Sequence, residues 1–177
     1  MKKFWLVTIV LTVFSTLLMP LARAQTSPSC YFSPDGGIRD KIIAKINLSR
    51  KTIKIAIFSF TSGEIASALE AAAKRGITIK LLADKIEAAS KHSEIGYLSA
   101  AGIETKLLSG KKGRRGIMHH KFAIFDEKEI ITGSYNWTDN AERFNYENAI
   151  FFNDPAVVQA FSKEFDKLWP LGTAVTR

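Results

Sequence analysis

Two of the three histidines in this 177-residue chain are adjacent, His119 and His120, and Lys121 follows at once. They lie in "GIMHHKFAIFDEKEIITGSYNWTD" (residues 116–139), which also carries Gly133, Ser134 and Asn136 past a short charged turn. An imidazole can attack an electrophile or transfer a proton near neutral pH. An ammonium, a hydroxyl and an amide offer charge and hydrogen bonds to an oxyanion. Such donors are costly to bury without an acceptor, and a phosphodiester would supply one. The set therefore suits nucleophilic displacement at phosphorus, with His119 as the attacking or proton-transferring group. A metal centre fits less well: His92 is remote in sequence and no further His/Cys cluster completes a zinc shell. No glycine-rich phosphate loop with a following Lys-Ser/Thr is present either, so neither metal nor cofactor is called for.

The elements that must position these groups are two strand-like runs, "IMHHKFAIF" (117–125) and "EIITGSYN" (129–136). A two-residue turn at Glu127-Lys128 would set Asp126 opposite Glu129. His119 then falls opposite Asn136 and Lys121 opposite Ser134, all on one face of the hairpin. His120 points the other way with Phe122 and Ile124, as a hydrogen-bonded supporting or core histidine. A slip of one residue would undo this convergence. Asp126 lies seven residues from His119, on the order of 23 Å at ~3.3 Å per residue, and is better placed to fix the turn than to react. Geometry alone leaves a polar sheet edge open as the other reading.

Upstream, "TIKIAIFSF" (52–60), "ITIKLLAD" (77–84) and "IETKLL" (103–108) read as buried strands. Helices are expected from about Gly36, capped by Asp35 with Ile38, Ile42, Ile43 and Ile46 on one side, from the Thr61–Glu64 capping box to Gly76, and over 86–101. This alternation predicts an α/β fold with a mixed, largely parallel sheet flanked by helices on both faces. Thr26–Pro34 reads as loose, "SGKKGRRG" (109–116) as a mobile cationic loop, and 155–169 as a closing amphipathic helix with Pro155 in its first turn.

Residues 1–24 differ in kind. Lys2 and Lys3 precede an apolar run from Phe4 to Leu21, then Ala22-Arg23-Ala24, the layout of a cleaved secretory signal. The run is nearly long enough to serve instead as a membrane anchor. Cleavage leaves residues 25–177 as one domain, periplasmic or secreted. It removes Lys2, Lys3 and Arg23 and lowers the net charge from +8 to +5. A basic domain favours an anionic partner, nucleic acid or phospholipid headgroups. Cys30, the lone cysteine, excludes an internal disulfide and is expected as a small buried hydrophobe.

"HHKFAIFD" fits His-x-Lys-x4-Asp through His119, Lys121 and Asp126, with Gly133-Ser134 and Asn136 at matching spacing and Glu147 in "YENA". With "YFSPDGG" and "IKIAIFSFTS", the chain resembles the phospholipase D superfamily from about Tyr31 to Trp169, and within it the small secreted Nuc-type endonucleases with one HKD motif. The resemblance implies the phospholipase D/nuclease fold and a metal-independent two-step phosphodiesterase working through a phosphohistidine. One half-site per chain then requires a homodimer with a joint active site. His119 would be nucleophile in one subunit and general acid/base in the other. Lys121, Ser134 and Asn136 would bind phosphoryl oxygens, Glu147 would orient the histidine, and Asp126 completes the motif. Lys111, Lys112, Arg114 and Arg115 would hold a nucleic-acid backbone, DNA or RNA, with little base selectivity and no stable membrane association. The rival readings are a cardiolipin-type phospholipid phosphodiesterase and a catalytically silent nucleic-acid binder on the same scaffold.

Overall fold

The structure, a computed structural model, describes residues 27–111 and 113–175, with Arg114 described in its backbone alone. The proposed signal and Lys112 lie outside the described residues. The elements run β1 (Ser29–Ser33), α1 (Ile38–Leu48), β2 (Thr52–Ile57), α2 (Gly63–Lys74), β3 (Thr78–Asp84), α3 (Ile95–Ala100), β4 (Glu104–Gly110), β5 (Gly113–Ile117), β6 (Lys121–Phe125), β7 (Glu129–Gly133), α4 (Asp139–Arg143), β8 (Glu147–Phe152), α5 (Pro155–Leu168) and β9 (Thr173–Ala174).

The described strands form one mixed sheet in the order β1-β8-β7-β6-β2-β3-β4-β5, with β9 alongside β4. The expected α/β class is observed. Among the described strand pairs only β2-β3 and β3-β4 are parallel, where right-handed crossovers are needed, and the rest are antiparallel. The sheet is therefore mixed but mostly antiparallel rather than largely parallel, because β6, β7 and β8 pair antiparallel in chain order. Alternation sorts side chains to two faces. Ile53, Ile55, Ala123 and Phe125 join Ile38, Ile42 and Ile46 of α1 and Ile65 and Leu69 of α2 in one core. Ala56, Phe122, Ile124 and Ile130 pack with Val158 and Phe165 of α5 on the other. Helices therefore cover both faces, as a sheet with buried central strands requires.

Several local expectations are corrected. Ser29–Ser33 is not loose: it pairs antiparallel with β8 as an edge strand, and Cys30 on it is exposed rather than buried. Asp35 does not cap α1. It sits at φ 71, and the N-cap is Gly37, also left-handed at φ 64. The cap of α2 is Ser62, one residue later than expected, its hydroxyl accepting from the Ile65 N–H at 3.4 Å. Gly76 follows α2 at φ 87, the left-handed stop anticipated. The expected 86–101 helix is a single tight turn at Glu87–Ala89 and the short α3, parted by the polar "SKHS" stretch that holds His92. The cationic 109–116 segment is an irregular antiparallel hairpin between β4 and β5 rather than a loop. No helix of the described residues is long and apolar enough to cross a membrane.

Candidate active site

His119 and Lys121 sit where the chain crosses from β5 into β6. Lys121 is the first residue of β6, paired with Ile57 at the carboxyl end of β2. Its position is fixed from below by Phe122 and Ala123, both buried. His119 precedes the strand and is exposed. Asp84, wholly buried at the end of β3, grips this crossing: one carboxylate oxygen accepts from the Ile86 and Glu87 N–H groups (2.8 and 3.1 Å), the other from Met118 N–H (2.9 Å). A buried carboxylate persists only when so satisfied. The anchor acts on the residue immediately before His119.

Lys121 Nζ lies 3.1 Å from His119 Nε2 and donates to the His119 carbonyl at 3.0 Å. An ammonium has only donors, so this contact uses Nε2 as acceptor, and the hydrogen-bond geometry assigns the ring proton to Nδ1. Phe58, just past β2, supports both: its ring meets the imidazole edge-on at 4.5 Å between centroids, and Lys121 Nζ stands 5.1 Å from the same ring's centre. Burial pulls the Lys121 pKa below the ordinary lysine value, opposed by the charge of Glu147.

The second group is built by β7, β8 and the segment after Gly133. A Cβ on Gly133 would stand 2.1 Å from the Asn148 carbonyl oxygen, so only glycine permits this approach. That same carbonyl accepts from both Ser134 N–H (3.1 Å) and Tyr135 N–H (3.3 Å), two residues against one. Ser134 Oγ then donates to Glu147 Oε2 at 2.5 Å and accepts from Asn148 N–H at 3.1 Å. Asn145 Nδ2 donates to Glu147 Oε1 at 3.1 Å. Trp137, buried against Phe60, ties the segment to the end of β2 by donating to the Ser59 carbonyl at 3.1 Å and accepting from Thr61 and Ser62. Asn136 Oδ1, just before it, is buried without a hydrogen-bond partner, a poised acceptor or, with the amide turned over, a poised donor.

The expected hairpin register is off by one. Phe125, not Asp126, faces Glu129, and the turn has three residues, with Asp126 and Glu127 at φ 53 and 52. The cause is Asp126 itself. Its carboxylate accepts from the Arg50, Lys51 and Thr52 N–H groups, with bonds of 2.7–3.2 Å, while its own N–H donates to Thr52 O. These bonds hold it out of the ladder. Lys121 and Ser134 are consequently not ladder partners. The two-against-one irregularity after Gly133 compensates: Ser134 still reaches Glu147, whose charge acts on Lys121. Asp126 is a turn anchor remote from this group and is removed from the catalytic set. Glu147 holds Ser134 and Asn145 rather than the His119 ring.

His120 is exposed, against the expected core position. Its ring meets Phe122 edge-on at 5.4 Å and partial burial lowers its pKa against the opposing charge of Glu164. It borders a cavity of about 580 Å³ whose apolar wall includes Leu108, Ile117, Met118 and Leu168. Lys111 lines that cavity and Arg115 is exposed on β5. Lys112 and the Arg114 side chain lie outside the described residues. Among the described residues, no three His, Cys, Asp or Glu side chains gather as a metal would require.

A sequence-family profile described as "Cardiolipin synthase, PLD-like domain" matches residues 42–169. The chain belongs to the phospholipase D superfamily. The relatives of this phospholipase D superfamily member include the mitochondrial cardiolipin hydrolase of Xenopus laevis, 29% identical over 154 residues, covering 87% of this chain and 71% of that one. Two solved structures match nearly end to end. The phospholipase D family member Nuc from Salmonella typhimurium is 30% identical with a TM-score of 0.78, over 85% of this chain and 99% of that one. NucT from Helicobacter pylori is 31% identical with a TM-score of 0.80, over 84% and 99%. The chain is thus a phosphodiesterase by family, and His119, Lys121, Ser134, Asn136 and Glu147 are its candidate site residues.

Sequence reading missed Phe58 and Asp84. Phe58 looked like one more apolar residue at the end of a strand. Asp84 did leave a signal, the lone acid of its strand, standing after Leu81-Leu82-Ala83 at the carboxyl end of a parallel strand, where α/β sheets place their sites.

Proposed function

We propose that this protein is an endonuclease that hydrolyses DNA, and RNA through the same backbone interactions, using His119 as a nucleophile in a site completed by a second copy of the chain. The observation that carries this reading is the pairing of an exposed imidazole with an ammonium at 3.1 Å, its Nε2 lone pair turned to that ammonium. A phosphoryl oxygen is a better acceptor than imidazole, so an arriving phosphodiester draws the ammonium off and frees Nε2. Nε2 then attacks phosphorus, and the P–O bond to the leaving sugar oxygen breaks. Lys121, Ser134 and Asn136 hold the non-bridging oxygens, where charge builds. The leaving oxygen takes a proton from the His119 of the second copy, which enters the step as an imidazolium and leaves it as the neutral ring. That imidazole then removes a proton from water, which attacks the phosphohistidine, releases the phosphate product and restores His119. Charge stabilisation comes from side chains, so the reaction is proposed to be metal-independent.

Lys111 and Arg115 place cationic charge on the β4–β5 hairpin beside the site, which favours a polyanionic backbone. The motif resemblance to Nuc-type endonucleases points the same way. The apolar cavity beside His119 favours a second reading, a phospholipid phosphodiesterase, in keeping with the name of the Xenopus relative.

Incubation of residues 25–177 with plasmid DNA in EDTA, in parallel with RNA and cardiolipin vesicles, decides between them. Cleaved DNA supports the nuclease. Retarded but uncut DNA overturns catalysis in favour of binding, and lipid cleavage with inert DNA moves the protein to the second reading.

A further inference from the structure

We propose that Phe58 is a positioning residue for the reaction, holding the His119 ring and the Lys121 ammonium in one fixed relation through their shared contact with a single aromatic ring. The inference rests on the phosphodiesterase reading of the site. His119 precedes its strand and is exposed, so the ladder does not fix its ring. The hydrogen bonds that join the pair run from Lys121 Nζ to His119 Nε2 and to the His119 carbonyl. Both involve a flexible lysine, and a four-carbon stem alone would leave the pair many geometries. Phe58 removes that freedom. Its ring lies 4.5 Å from the imidazole centroid at 63° between planes, an edge-to-face arrangement, and 5.1 Å from Nζ, within range of a cation–π interaction. Phe58 itself is anchored by position: it directly follows Ile57, fully buried and paired with Lys121, and precedes Ser59, whose carbonyl holds Trp137.

The face of an aromatic ring stabilises a cation specifically, and an aliphatic side chain of similar bulk does not. Phe58→Leu should therefore keep most of the packing and remove the cation–π interaction. The titratable groups facing Lys121 are His119, His120 and Glu147, and none of them is altered by this change. With the ring gone, the ammonium loses a stabilising partner and deprotonates at lower pH. Catalysis should fall about 2- to 30-fold in kcat, with a smaller change in KM, and the alkaline limb of the pH–rate profile should move down by about half to one and a half pH units. Phe58→Tyr, which keeps the ring, should stay near wild type in both.

The experiment is a pH–rate profile of wild type, Phe58→Leu and Phe58→Tyr on a phosphodiester substrate, with an NMR titration of the Lys121 ammonium in the same proteins without substrate. A lower Lys121 titration in Phe58→Leu and retention in Phe58→Tyr support the inference. Coincident Lys121 titrations and coincident profiles in all three proteins overturn it. Should wild type cleave no phosphodiester, the functional reading fails, and the substrate-free titration still decides whether Phe58 holds the pair.

Discussion

Replacing Asp126 by alanine separates the letter that names the HKD motif from the chemistry it is credited with. In the structure this carboxylate receives the N–H groups of Arg50, Lys51 and Thr52 and touches none of the other site residues. A hydrogen bond to a charged group contributes about 1.5–3 kcal/mol when water cannot replace it. The bonds from Arg50 and Lys51 are exposed and their donors would re-bond to water, whereas that from Thr52 is partly buried. Counting one bond in full and the others as fractions gives a loss of about 2–3 kcal/mol, or a fall in Tm of about 4–12 °C for a domain of this size. Activity of the folded variant should remain within about twofold of wild type, because every group that touches the proton or the phosphoryl oxygens stays in place. The pH dependence has a definite sign. Burial alone would raise the Asp126 pKa, but the three N–H bonds prevail and hold it below the ordinary carboxylate value. Its stabilisation is thus present above the unfolded value near ~3.9 and disappears as pH falls through the folded one. The stability gap between wild type and Asp126→Ala should narrow below about pH 4. Thermal melts from pH 3 to 8, with kcat measured well below the melting range, test all of this. An unchanged Tm with kcat reduced about a thousandfold would refute the structural assignment.

Other outcomes follow from the same geometry. Gly133→Ala forces a Cβ to 2.1 Å from a backbone oxygen, so Ser134 should be displaced and activity lost together with more than about 2 kcal/mol of stability, read by urea unfolding and kcat. Asp84→Ala leaves the Met118 N–H buried without its acceptor and should cost about 2–4 kcal/mol while lowering kcat through His119; wild-type kcat in the folded variant would remove Asp84 from this role. Activity should fall as pH rises through a group that titrates below the ordinary lysine value, since burial makes the Lys121 ammonium easier to deprotonate; a profile flat to about pH 10.5 would contradict this. Neutralising Lys111 and Arg115 should reduce the salt slope of DNA binding by about 0.7–0.9 for each phosphate no longer neutralised, and an unchanged slope would take the hairpin off the binding surface.

The sequence made the central strands, the Ile-lined face of α1 and the Pro155 start of α5 legible because each rests on local periodicity and end chemistry. It concealed β1, since "SCYFS" is an edge strand whose pairing with β8 spans more than a hundred residues. The 86–101 helix failed at Ser90–Ser93, where the Ser93 hydroxyl accepts from the Ile95 N–H and competes with helical bonding. The site was legible as residue types and spacing, His119, Lys121, Ser134, Asn136 and Glu147. Its register was not, because a single carboxylate reaching back to Arg50–Thr52 converts a two-residue turn into three. The compensating irregularity at Gly133 depends on the close approach to Asn148, which no spacing rule encodes.

In the proposed mechanism each active site uses His119 from two chains. Wild-type protein mixed and refolded with increasing His119→Ala protein, at constant total concentration, tests it directly. If both histidines are needed, mixed dimers are dead and activity follows the square of the wild-type fraction, so an equal mixture retains about a quarter of the full rate. If one chain suffices, activity falls in direct proportion and the equal mixture retains about half, which would contradict the joint site.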